Sequence, residues 1–322
     1  ATVQLQLAQA LAKGGRALEA ITVFDKALAV SPRLHRAHVG KSQLFARALG
    51  KAPEALESAR QASKISPADP EVIAALGTAN LLNGNLEAAF GMLSDSVASQ
   101  PDDGNLLLDL AKTTYGLGRV AEARARLEKL ISASPAIQKE AETFLNLTAA
   151  DNIGNSETKV LAANILAKDP KNIPALMFTA ESKEREKEDP STLYREIISI
   201  APTFEPARIK LARRLAADSS TAEEAESLAM EARRRFPDDA DLTGILGIVN
   251  FRRGSHSQAI RFLKELSAKR PLSSEEQFAL GMSEAATNQP DQARTNLENA
   301  LKAGLSDSDL TTAKAKLEEL DK

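Results

Sequence analysis

Residues 240–273 read ADLTGILGIVNFRRGSHSQAIRFLKELSAKRPLS, and this stretch decides the fold. Its apolar residues recur at helical spacing in two runs, split near Gly254 and closed by Pro271. Spacing of this kind lines one face of an α-helix. Proline has no N–H to donate and its ring clashes with the preceding turn, so Pro271 punctuates the second run. Leu246-Gly247 in the first run and Ala259 in the second put small residues where two antiparallel helices can approach closely. Gly254 between them suits the left-handed turn that reverses the chain. One such hairpin cannot bury its apolar face alone, so it needs neighbours.

The neighbours are copies of it. Residues 70–103 carry Leu76-Gly77, Gly84, Ala89, Leu93 and Pro101 at the same offsets. Residues 1–34 carry Leu7-Ala8, Gly15, Ala20, Phe24, Ala27 and Pro32, and residues 274–306 carry Leu280-Gly281, Ala293, Leu297 and Ala300. Pro32, Pro67, Pro101, Pro135, Pro170, Pro202, Pro237 and Pro271 follow one another at spacings of 35, 34, 34, 35, 32, 35 and 34 residues. Each is read as closing one repeat. Pro70 is the exception, because Asp69 before it is an N-cap and proline fits the first turn.

This pattern resembles the tetratricopeptide repeat, with Leu-Gly in a first helix, a small residue at the turn and Ala…Phe/Leu…Ala in the second. The resemblance covers nearly the whole chain. It implies an all-α, right-handed solenoid of about nine helix-turn-helix repeats: 1–34, 35–69, 70–103, 104–137, 138–172, 173–204, 205–239, 240–273 and 274–306. Residues 307–322 follow as a capping helix, opened by Asp307-Ser308-Asp309, with Leu310, Ala313, Leu317 and Leu320 inward and Lys314, Lys316, Glu318 and Glu319 outward. A terminal repeat needs such a polar-backed cover. About 19 helices and no sheet are expected. Two repeats fit poorly, with the turn run Asp151–Ser156 in one and the charged run Glu184–Pro190 in the other. We expect a weak joint near 150–190, not a linker between unrelated domains.

Composition narrows the function. The net charge of −3 gives no field to capture nucleic acid or an anionic membrane, and no apolar run is long enough to span a bilayer. With no cysteine there is no disulfide, thiolate nucleophile or cysteine metal site. The sequence starts at Ala1, as a processed or excised polypeptide would, which leaves room for a signal peptide, a lipid-anchor cysteine or further repeats.

Apparent chemical motifs have plainer readings. Gly40-Lys41-Ser42 imitates the end of a phosphate loop, but His35 stands where that loop needs glycine, and the segment is helical. His35 and His38 share a helix without a third ligand and read as surface histidines. His256 sits between Ser255 and Ser257 with no third member of a triad. Asn146-Leu147-Thr148 is a sequon inside a helix, and Arg233-Arg234-Arg235 suits the negative end of one. No catalytic residue, metal site or cofactor is expected.

The resemblance also implies where a protein or peptide partner binds. First helices line the groove through offsets 2, 5, 9, 12 and 13. In the C-terminal repeats these are Ile209, Arg213, Ile248, Phe251, Arg252, Phe278 and Met282, with the aromatics as anchors and the arginines as guides. In the N-terminal half they are Leu81, Leu82, Leu108, Lys112 and Tyr115, a secondary set. The two-carboxylate clamp of chaperone-tail receptors is missing, since Leu5, Gln9 and Gly40 occupy its places. The expected function is a non-catalytic scaffold. Degenerate alanine-rich arrays of bacterial type suggest envelope assembly or polysaccharide and protein export, with the periplasm or envelope favoured over the cytoplasm. The alternative is an accessory repeat module excised from a larger enzyme such as a transferase.

Overall fold

A computed structural model describes residues 1–321. Nineteen α-helices and no strand occur among them. They alternate as first and second helices, most of them paired as hairpins: α1 (Thr2–Lys13) with α2 (Ala17–Val30), α3 (His35–Gln43) with α4 (Ala52–Ile65), and α5 (Pro70–Leu82) with α6 (Leu86–Ser99). Next come α7 (Gly104–Gly116) with α8 (Val120–Glu128) and α9 (Pro135–Leu147) with α10 (Ser156–Leu166), followed in sequence by α11 (Ile173–Arg185) and α12 (Ser191–Ile200). The last are α13 (Glu205–Leu215) with α14 (Ala222–Arg235), α15 (Ala240–Arg252) with α16 (His256–Ser267), α17 (Ser274–Ala286) with α18 (Pro290–Ala303), and the single α19 (Asp307–Leu320). The fold is a helical repeat solenoid.

The recurring residues do the expected work. Gly15, Gly84, Gly118 and Gly254, each at offset 15 of its repeat, have φ between 72° and 80° and turn the chain from first helix to second. Two non-glycine residues take the same left-handed place: Lys187 at φ 62° and Asn288 at φ 61°. Ala20, Ala89, Ala123, Ala259 and Ala293 are fully buried where paired helices cross. Gly247 faces the Leu263 side chain so closely that a Cβ would lie 2.5 Å from it. Small residues here let first and second helices meet.

Repeat 35–69 shows how the pattern absorbs an extra residue. Its turn glycine, Gly50, comes one place later than in the repeats above, and Leu44–Ala48 forms a π-helical turn just before it. A π turn takes up one more residue than an α turn, so the downstream face keeps its register.

Two details differ from expectation and a third adds to it. Pro135 does not close a repeat. With Ser134 as N-cap it is the first residue of α9, which therefore starts three residues before the boundary drawn at 138. Ser306, not the following acidic pair, caps α19 through a hydrogen bond from the Asp309 amide. Arg233, in the last turn of α14 with Arg234 and Arg235 as expected, also pairs with Glu265 of α16 at 2.6 Å and lies 5.1 Å from the Phe262 ring centre.

The chain divides into two compact units, residues 1–188 with 199–204, and residues 189–198 with 205–322. In the C-terminal unit, α19 lies on the last hairpin and its Ala313 shares a core with Phe278, Leu297 and Ala300.

Candidate functional site: a groove on the first helices of the N-terminal unit

Four first helices, α5, α7, α9 and α11, bring their residues to one cavity of about 950 Å³ within the N-terminal unit. Leu81 and Leu82 come from the last turn of α5, Lys112 and Tyr115 from α7, and Thr143, Phe144 and Leu147 from α9. Ile165, Ile173, Pro174 and Ile200 complete a mostly apolar lining. Side chains a repeat apart on successive first helices come side by side, so offsets 9, 12 and 13 form a continuous surface.

Tyr115 anchors the floor. Only 4% exposed, its ring meets Phe144 edge-on at 5.0 Å and Phe204 at 5.1 Å. Burial pushes its phenol well above the ordinary value, with Glu181 adding to the effect and Arg124 opposing it. The hydroxyl therefore stays neutral, and the buried Tyr115 ring packs beneath the cavity between Phe144 and Phe204. The rim is charged: Lys112 pairs with Glu140 of α9, and Asp169 and Lys171 lie exposed beside them. Beneath, buried Asp109 accepts hydrogen bonds from Arg47 at 2.6 Å and from the Thr78 hydroxyl at 2.7 Å. Charge-assisted bonds of this kind fix α7 against α5 and the π turn.

Sequence models of the tetratricopeptide repeat match residues 5–71, 80–138 and 210–274, more than half of the chain. The chain belongs to the tetratricopeptide repeat family. No curated protein matches it in sequence. Among solved structures it is similar to the APC/C hetero-tetramer Cut9–Hcn1, at 13% identity over 98% of this chain and 76% of that one, with a TM-score of 0.48. It is also similar to a tetratricopeptide repeat protein from Parabacteroides merdae, at 16% identity over 89% of this chain and 99% of that one (TM-score 0.30). A third is YrrB, described as a tetratricopeptide protein with an unusual peptide-binding site, at 17% identity over 54% of this chain and 89% of that one (TM-score 0.37).

In this tetratricopeptide array the two groove sets read from the sequence fare differently. Leu81, Leu82, Lys112 and Tyr115 line one cavity, whereas Leu108 is buried in the core. In the C-terminal unit Phe278 is only 4% exposed, and its ring packs edge-on against Phe251 at 5.7 Å. Phe251 and Met282 join Leu317 and Leu320 of α19 around it, so these three residues hold the capping helix. Ile248 is buried and Ile209 half-buried. Arg213 pairs with Asp241 at 2.7 Å and Arg252 with Glu275 at 3.0 Å, each bridging neighbouring first helices.

Thr143 and Leu147 are groove residues that the sequence reading missed. Counted from Pro135 they fall at offsets 9 and 13, and Ser134-Pro135 has the cap-then-proline form of Asp69-Pro70 that marks a helix start. The remaining motifs are structural. Gly40 leaves room for the Phe24 ring, and His35 Nε2 lies 3.1 Å from Asp69. Burial, with Lys41 nearby, lowers the His38 pKa. His256 rests 3.4 Å from the Ser283 hydroxyl.

Proposed function

We propose that the chain is a non-catalytic protein-interaction scaffold that holds an apolar segment of a partner protein in its N-terminal groove. The supporting observation is the cavity itself: an apolar floor bounded by the Lys112–Glu140 pair, with Leu82 exposed at its edge. Apolar surface of this kind gains free energy when a partner removes it from water. Charged groups at the edge set orientation more than affinity. No helix among the described residues is long and apolar enough to cross a membrane. The alanine-rich, cysteine-free composition supports a place in bacterial envelope assembly or export, which fractionation of the native host tests directly. A catalytic domain in the same reading frame would instead favour the accessory-module reading.

Leu82 is the side chain with which to test the groove, because it is 44% exposed and its loss leaves the core intact. A photo-crosslinker placed at Leu82 or at Thr143 is expected to trap the same partner segment. Leu82→Asp should weaken capture about 30-fold, the scale of a central interface residue worth about 2 kcal/mol, with melting temperature unchanged. Capture unaffected by Leu82→Asp, or crosslinks only from Val160 outside the groove, would remove the groove as the site.

A further inference from the structure

The apolar cavity has a neighbour in the same unit. A second cavity, of about 270 Å³, is lined by Gln43 of α3, Arg47 of the π turn, Glu71, Ala74 and Thr78 of α5, and Asn105 of α7. These fall at offsets 9 and 13, then 2, 5 and 9, then 2 of their repeats, which is the groove-facing register. Arg47 and Thr78 line this smaller cavity and Asp109 lines the larger one. The hydrogen bonds that both give to Asp109 therefore lie between the two, which are neighbours in one groove.

Their chemistry differs. Around the larger cavity the polar side chains are already engaged within the chain. The Asn83 amide donates to the Ala52 and Ala79 carbonyls, the Thr143 hydroxyl donates to the Lys139 carbonyl, and Asn172 accepts from the Ala175 amide. Lys112 and Glu140 hold each other, and Asp169 accepts from the Lys171 and Asn172 amides. An extended segment laid on this floor finds few partners for its backbone, and no strand among the described residues offers an edge to pair with. A helix satisfies its own N–H and C=O groups and presents a stripe of side chains. The smaller cavity is polar. The charge of Arg47 is met by Asp109, whereas Glu71 has Arg36 at 3.9 Å, a loose pair with both ends more than half exposed. Asp103, which caps α7, brings a second carboxylate, and Gln43, Gln100 and Asn105 bring amides. Such a lining complements a cation with several donors.

The geometry points to an amphipathic helix of a partner protein as the occupant of this groove, with its apolar stripe on the larger cavity and a lysine or arginine beyond the stripe in the smaller one. This rests on the N-terminal groove being the partner site and specifies what that site takes. The apolar stripe supplies the affinity, and the basic side chain fixes which way the helix runs.

Two labelled synthetic peptides test this by fluorescence anisotropy on the full chain. One carries leucines at i, i+3, i+4 and i+7 with an arginine one turn later, and a hydrocarbon staple on its polar face locks the helix. The other keeps the leucines and the arginine but has prolines between them, which forbid the helix. The helical peptide should bind about tenfold tighter or better, and Leu82→Asp should remove that binding. Glu71→Lys should weaken it about fivefold, the scale of a charge pair at a solvent edge, with the circular dichroism spectrum unchanged. A helical peptide with glutamate for its arginine should regain affinity for Glu71→Lys. Equal or tighter binding of the proline peptide, still lost with Leu82→Asp, would overturn the helix and leave the groove standing. Failure of both peptides to bind would overturn it as well. An identical response of the arginine and glutamate peptides to Glu71→Lys would overturn the basic end. Binding of both peptides that ignores Leu82→Asp would remove the groove itself as the partner site.

Discussion

Lys187 sits where four other repeats have glycine, at φ 62°. A side chain in the left-handed region crowds the neighbouring carbonyl at a cost of about 1 kcal/mol or slightly more. Its side chain is exposed and forms no part of the core. Lys187→Gly is therefore expected to stabilise the protein by about 0.5–1 kcal/mol in denaturant titration, the relief of strain exceeding the added flexibility of the unfolded chain. Lys187→Ala keeps the Cβ and should gain nothing. Gly247 makes the converse case. Alanine there would favour the helix but press on the buried Leu263, and the recurring Leu-Gly pair preserves that contact.

Helix α17 carries both a capping box and a buried charge. Ser273 accepts from the Glu276 amide, and Glu276 accepts from the Ser273 amide and from both terminal nitrogens of Arg270, at 2.8 and 2.7 Å. Burial works to raise the Glu276 pKa, but hydrogen bonds from Arg270 and Ser273 outweigh it and hold the carboxyl below its ordinary value. A depressed folded pKa adds stability above the unfolded value of 4.5, and that stability fades as pH falls through the folded value. Glu276→Gln should cost about 1–2 kcal/mol near neutral pH and flatten the loss of stability between about pH 5 and 3, as thermal melts across that range would show. The helices themselves were legible in the sequence, because proline spacing and the Leu-Gly…Ala pattern are local signals. So were Leu81, Leu82, Lys112 and Tyr115, which follow from counting offsets. Phe251 and Met282 share offsets 12 and 9 with Tyr115 and Lys112 but have a different fate, since α19 docks on them and no count within a repeat reveals which helix folds over it. Phe278 is buried, as Leu108 is at the same offset 5. Thr143 and Leu147 were hidden by a punctuation mark read the wrong way round, Pro135 opening a helix in place of closing one.

Over the whole molecule, stability in a repeat array is a sum of hairpin and junction contributions, so a poorly matched stretch exchanges before the rest. Residues 150–155 hold a 3-10 turn and a left-handed Gly154 where other repeats have a tight turn, and Lys187 strains the following one. Hydrogen exchange should be fastest at 150–157 and 184–191, and calorimetry should resolve two transitions in keeping with the two compact units. One transition with uniform protection would show a single cooperative array.

The Arg47–Asp109 bond joins side chains 62 residues apart and passes over an intervening hairpin. Most contacts in such an array lie between adjacent repeats, which lets a nascent chain fold progressively as it leaves the ribosome. Here one contact waits on a later repeat. The buried carboxylate of Asp109 and the guanidinium of Arg47 find each other only once the fourth hairpin begins to emerge. Until then Arg47 on its π turn and Thr78 lack the acceptor they share. The acceptor shared by Arg47 and Thr78 is therefore supplied only after about the first third of the chain has been made.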